Sequence, residues 1–129
     1  MAGVYHLNIN QGETYKESFQ WLQGGGRTPI EGEPVNLIGY VGRCQIRSNA
    51  QNPGIIATVP VDIFNPEEGR FSIGLSAAQT EMLPATGKHF ADTDKYVYDV
   101  EFANQSGMVY RLLNGFVIVS PEVTRGGDY

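Results

Sequence analysis

This chain of 129 residues is poor in the residues that staple, ligate or anchor. It has one Cys, two His and no apolar run of the ~18 residues that a membrane-spanning helix requires. The lone Cys44 cannot form an internal disulfide, which fits folding in a reducing cytoplasm. Two His and one Cys, far apart in sequence, cannot supply the ligands of a structural zinc site. The first ten residues, MAGVYHLNIN, have neither a basic start nor a long apolar stretch, so no signal peptide and no membrane contact are expected. Positive charge is also scarce: nine Lys and Arg stand against fourteen Asp and Glu, for a formal net charge of −5 and a pI near 4.9. With those cations scattered, no basic stripe collects phosphates, and nucleic acid is not an expected partner.

What remains is a chain with a 41% hydrophobic fraction, enough for a real core, and a length typical of one domain. Its clearest pattern lies in residues 95–125. Tyr96, Tyr98, Val100 and Phe102 share one parity and Asp99 and Glu101 the other, the period of a half-buried strand. Asn104-Gln105-Ser106-Gly107 then reads as a tight turn into a second apolar run, which makes the pair a β-hairpin.

The same period recurs upstream. Tyr5, Leu7 and Ile9 predict a first strand; Tyr15, Phe19 and Trp21 a second; residues 40–48, with Cys44 and Ile46 facing inward, a third. Residues 55–63 predict a fourth that Pro60 ends or breaks, and Phe71, Ile73 and Leu75 a fifth. Ser76 and Gln79 have capping-box spacing, so residues 77–82 are expected to form one short helix crossing between sheets before Pro84. About seven strands with one helical crossover predict an all-β antiparallel sandwich, with a small closed barrel as the competitor. The core is expected to hold Phe19, Trp21, Ile46, Phe71, Ile73, Tyr98, Val100 and Leu112. The domain is expected over residues 1–121, with 122–129 a flexible tail. Residues 23–32, with three consecutive glycines, and residues 85–94 are expected to be exposed loops.

Little in the chain can do chemistry. Gly24-Gly25-Gly26-Arg27-Thr28 lacks the Lys-Ser/Thr ending and the following helix of a phosphate loop, and reads as a flexible connection. Asp99 and Glu101 share the solvent face of a strand, where Arg111 of the partner strand offers a cross-strand ion pair. His6 and His89 lack a Ser, Cys or carboxylate at a recognisable spacing, and read as surface residues. Cys44 reads as a buried small hydrophobe. Tyr5, Tyr15, Trp21, Tyr96, Tyr98 and Tyr110 offer an aromatic sugar platform as one reading, and core or inter-subunit packing as the other. No nucleophile, base and oxyanion donor assemble, so neither an enzyme nor a cofactor is expected.

The order of motifs resembles a family of small tailed-phage and prophage virion structural proteins, similar to the immunoglobulin-like N-terminal domain of phage baseplate upper proteins. Ile9-Asn10-Gln11-Gly12-Glu13-Thr14 and Phe19-Gln20-Trp21 match its opening strands. Leu37-Ile38-Gly39-Tyr40 and Arg43-Cys44-Gln45-Ile46-Arg47-Ser48 match the next. Residues 75–80, Tyr98-Asp99-Val100-Glu101, Arg111-Leu112-Leu113-Asn114-Gly115 and residues 119–125 follow in collinear order. The loops at 23–32 and 89–94 are longer than the resemblance leads one to expect.

What the resemblance implies is a non-enzymatic component of the tail, baseplate or neck, folded in the host bacterial cytoplasm and built into the virion. Its partners would be other virion proteins, fibres included, and further copies of itself. The alternative is a receptor- or glycan-binding module of a tail fibre. Contact residues are expected in the two loops and the tail: Gly24, Gly25, Gly26, Arg27, His89, Phe90, Arg125 and Tyr129.

Overall fold

The computed structural model describes residues 3–23 and 32–125. The elements run β1 (Gly3–Val4), β2 (Leu7–Asn10), β3 (Tyr15–Gln20), β4 (Val41–Arg47), β5 (Ala57–Thr58), β6 (Val61–Asn65), β7 (Arg70–Leu75), α1 (Ala77–Glu81), β8 (Asp94–Ala103) and β9 (Val109–Ser120). One sheet has the order β1-β9-β8-β4-β5 with β2 also on β9; the other is β3-β7-β6. Reading β3, β4, β6, β7, β8 and β9 as strands B, C, D, E, F and G gives B-E-D facing G-F-C, with β5 beside C. That is the strand order of an immunoglobulin-like sandwich. No helix among the described residues is long and apolar enough to cross a membrane.

The sandwich is not wholly antiparallel, as the alternation pattern leads one to expect. β1 and β2 run parallel to β9, pairing Gly3 with Leu113 and Leu7 with Val117. Parity cannot reveal this, because an inward-outward alternation is the same for either strand direction. β9 is twelve residues long and only one flank meets β8, so its other edge stays open until the N-terminal segment covers it. Between the two short strands, Tyr5 and His6 arch over Gly115. A Cβ on residue 115 would overlap the Tyr5 carbonyl oxygen and stand 2.9 Å from its carbon, so only glycine permits the crossing.

The expected fourth strand is two. β5 pairs with β4, whereas β6 pairs with β7 in the opposite sheet, and Pro60 sits at the switch. Proline has no N–H to give a ladder, so the chain leaves one sheet there and enters the other. The helix forms as the capping box predicts: the Ser76 hydroxyl accepts from the Gln79 amide, and Gln79 Oε1 accepts from the Ser76 amide. It ends at Glu81, with Met82 as its C-cap.

Ile46, Phe71, Ile73, Tyr98 and Val100 are buried between the sheets as expected, beside Phe102, Val117 and Val119. Phe19, Trp21 and Leu112 are only half-buried. Phe19 belongs to the edge strand β3 and leaves one flank open. Trp21 lies one residue past the end of β3, where it closes the mouth of the sandwich against Tyr40, Phe102 and Tyr110 at centroid distances of 5.8–6.0 Å. Leu112 is the extra residue of a bulge, because Val100 pairs with Leu113 and Glu101 with Arg111. The bulge reverses parity along β9, so an alternation read from one end fails at the other. Tyr96, near the start of β8, donates its hydroxyl back to the Pro84 carbonyl, tying strand to crossover.

Candidate functional site

Two surfaces outside the core gather the side chains considered for a functional role. The first is the outer face of the larger sheet. Register across β4, β8 and β9 lines up Val41, Ala103 and Val109 in one row, then Arg43, Glu101 and Arg111 in the next. Asp99, with Gln45 and Asn114, forms the third row, and Val97, with Arg47 and Phe116, the fourth. Arg43 Nη2 lies 3.7 Å from Glu101 Oε1, and Arg111 Nε lies 3.7 Å from Asp99 Oδ2. Arg111–Asp99 is the cross-strand pair that the sequence predicts. Arg43–Glu101 adds its counterpart on the other flank, so both carboxylates are paired with cations. At this length and exposure such pairs are worth little and re-pair readily. The rows enclose a shallow groove of about 470 Å³.

One end of the groove is aromatic. The His6 ring stacks on Phe116 at 5.3 Å and 25°, and Lys95 Nζ stands 4.7 Å from the Phe116 centroid. His6 Nδ1 accepts from the Phe116 amide at 3.0 Å, so this nitrogen carries no proton. The surface histidine that the sequence predicts thus has a structural task, fastening the parallel strap to β9. On the β4 side, Arg47 donates to the carbonyls of Asn52 and Pro53 and to Gln45 Oε1. That shapes the turn beside the groove.

The second surface is the pole where the crossover, the turn after β2 and the end of β9 meet. Residues 85–94 form a self-bonded loop: the Thr86 amide donates to Asp94 Oδ2, the Lys88 amide to Asp92 Oδ2 and the Ala91 amide to His89 Nδ1. Ser120 Oγ donates to the Phe90 carbonyl. The loop presents Phe90, which is 78% exposed, and the same pole carries Met82 and Val123 at 83% and 84%. Arg125 donates to the Glu122 carbonyl. His89, Phe90 and Arg125 are thereby brought to one pole. Gly24, Gly25, Gly26, Arg27 and Tyr129 lie outside the described residues.

The pole is braced from below by three residues distant in sequence. Gln11 Nε2 donates to the Leu83 carbonyl at 2.8 Å, and Gln11 Oε1 accepts from the Glu122 amide at 3.0 Å. Fully buried Thr80 accepts from the Gly12 amide and donates to the Glu13 carbonyl. Gly12 has φ +86°, and a Cβ there would run into the Glu122 carboxyl group. Glu122 is therefore held against the domain, whereas residues 123–125 are exposed; residues 126–129 are outside those described.

The six aromatic residues offered for a sugar platform do not form one. Tyr96 and Tyr98 are buried, and Tyr98 donates to the Tyr5 carbonyl at 2.6 Å. Trp21 and Tyr110 pack on each other at the mouth, and Tyr5 donates to Glu17. The Tyr15 hydroxyl finds no hydrogen-bond partner among the described residues, and burial holds its ionisation far above the usual range. Cys44 is buried, and desolvation, with Asp99 adding to it, pushes its thiol up to about 12. No group of three or more His, Cys, Asp or Glu among the described residues could hold a metal ion.

Sequence reasoning missed Phe116, Lys95 and Arg43 as members of one face. Arg43, Gln45 and Arg47 share outward parity, which gave a signal; which strands flank β4 was not legible.

No protein-family model matches the chain, and no curated protein matches it. Among solved structures, murine CRIg is similar at 11% identity and a TM-score of 0.38, over 92% of each chain, a likeness too distant to bear on function.

Proposed function

We propose that this chain is a non-enzymatic structural protein of a tailed-bacteriophage virion, an adaptor in the tail, baseplate or neck that joins fibre or neighbouring components. The observation that carries the reading is the collinear motif series over nearly the whole chain. Its members are far apart in sequence yet have joint physical tasks. Gln11-Gly12, Thr80 and Glu122 come from three separate motifs and meet in the brace beneath the exposed pole. Gly115 ends a fourth and lets the N-terminal strap cross β9. Motifs that meet at one pole of a sandwich suit a protein that works by contact.

The pole supplies Phe90, Met82 and Val123 as apolar anchors, with His89 and Arg125 beside them. A stable contact buries at least about 1,000 Å² in total, more than one loop offers, so the pole acts together with a sheet face or with further copies. The receptor- or glycan-binding reading draws on the groove at Phe116, where an aromatic ring lies beside amide and guanidinium groups. Particles made without the protein separate the two readings. The adaptor predicts arrested or incomplete tails, restored by the wild-type chain and not by a Phe90→Asp, Val123→Asp variant. Complete particles that fail only to adsorb would favour the glycan reading.

A further inference from the structure

The charges of this acidic protein are unevenly placed. Of the eight Lys and Arg among the described residues, Arg43, Arg47, Lys95 and Arg111 all stand on the outer face of the larger sheet, against two carboxylates, Asp99 and Glu101. The other described residues hold four cations and ten carboxylates. One face is thus net positive on a chain that is otherwise strongly negative. It is also concave, and apolar residues bound it: Val41 and Val109 at one end, 65% and 61% exposed, and Phe116 at the other.

An acidic counterpart lies at the pole opposite the helix. Glu33, Glu67 and Glu68 are exposed there, beside Leu22 and Phe64. Backbone bonds hold them together: the Gln23 amide donates to the Glu33 carbonyl, the Leu37 amide to the Pro66 carbonyl and the Trp21 amide to the Gly69 carbonyl. Arg70, paired with Glu68 at 3.4 Å, is the cation that the structure places beside these carboxylates.

We infer that the cationic sheet face receives the acidic pole of a second copy of this chain, in a head-to-tail contact. Like faces brought together would oppose net positive charge to net positive charge, whereas face to pole sets Arg against Glu and apolar rim against Leu22 and Phe64. Such a contact is heterologous, so it propagates and closes into a ring or extends as a filament. The exposed 3.7 Å ion pairs on the face cost little to exchange for intermolecular ones. An unrelated acidic protein or an anionic polymer would meet the same charges. The second copy is favoured because the chain itself carries the matching surface, charge and apolar residues both. The inference stands whether or not the virion reading holds.

The test is a charge swap on the purified full-length chain, followed by sedimentation velocity over a concentration series. The wild type is expected to associate at low ionic strength, with an association constant at least roughly tenfold weaker near 0.5 M salt, where screening is short-ranged. Arg43→Glu with Arg111→Glu, and separately Glu67→Lys with Glu68→Lys, should each leave monomers, and mixing the two variants should restore assembly. Because glutamate at 43 faces Glu101 across the strands, Arg43→Gln with Arg111→Gln serves as the milder face variant, and a thermal melt checks folding of each. A wild type that stays monomeric to millimolar concentration at low salt overturns the inference. So does assembly that survives the substitutions, a folded pair of variants that fails to recover on mixing, or association that appears only on adding another acidic protein or a polyanion.

Discussion

Replacing Gly115 by Ala probes the least expected part of the fold, the parallel strap. The added methyl overlaps the Tyr5 carbonyl oxygen and comes within 3.1 Å of His6 Nδ1. β9 is held by β8 on its other side, so relief comes from lifting the strap. Lifting strains three hydrogen bonds at once: Tyr5 amide to Asn114 carbonyl at 2.9 Å, Tyr98 hydroxyl to Tyr5 carbonyl at 2.6 Å, and Phe116 amide to His6 Nδ1 at 3.0 Å. Each is worth about 1 kcal/mol net, and the buried Tyr98 hydroxyl, left alone, costs about 1–3 kcal/mol. The expected loss is about 2–4 kcal/mol, a large share of an ordinary domain's stability of about 5–15 kcal/mol. In a domain of this size that lowers Tm by roughly 8–15 °C. Tyr98→Phe removes only one of the three bonds and should cost about 1 kcal/mol. Circular-dichroism melts of both variants, with hydrogen exchange at residues 5–9, make the measurement. A Gly115→Ala protein that melts within about 2 °C of wild type, its strap still protected, would refute the crossing geometry.

Further outcomes follow from the same packing. Thr80→Val keeps shape but strands the Gly12 amide and Glu13 carbonyl, and should cost about 2–3 kcal/mol in a denaturant titration. Trp21→Ala, at a half-buried mouth, should cost about 2–3 kcal/mol, less than a Phe102→Ala change in the sealed core at about 3–5 kcal/mol; paired melts check the order. The Cys44 thiol, pushed up to about 12, should resist iodoacetamide at pH 8 in the native protein and react once denaturant is added. Because its folded-state ionisation lies above the unfolded one near 9, the neutral thiol's share of stability is whole below pH 9. It is lost as pH rises from about 9 toward 12, which a pH series of melts on wild type and Cys44→Ala resolves.

Strand existence was legible because one buried face imposes a period of two, and the Ser76–Gln79 box gave the helix because its spacing satisfies two backbone donors. The hairpin was legible because Asn104 and Gly107 bracket a turn: the Asn104 side chain accepts from the Ser106 and Met108 amides, and Gly107 adopts φ +84°. Strand direction and neighbours were not legible, since parity is blind to both; hence the strap on β9 and the sheet switch at Pro60 came only with the structure. The β9 bulge hid Leu112 for a related reason, one unpaired residue reversing the face downstream. The brace was half visible. Gln11, Thr80 and Glu122 stood in the motif series, but nothing in the sequence said that they touch. The cationic face was invisible in an overall charge of −5, because net charge carries no geography.

The central claim is tested most directly by the place of this chain in a density map of an intact tailed particle purified from the host that makes it. The account predicts sandwich-shaped density in symmetric copies at the tail, baseplate or neck, fitted by this fold with the Phe90 pole against a neighbouring protein. Finished particles whose map is fully assigned without it, and in which mass spectrometry finds none of its peptides, would contradict the claim.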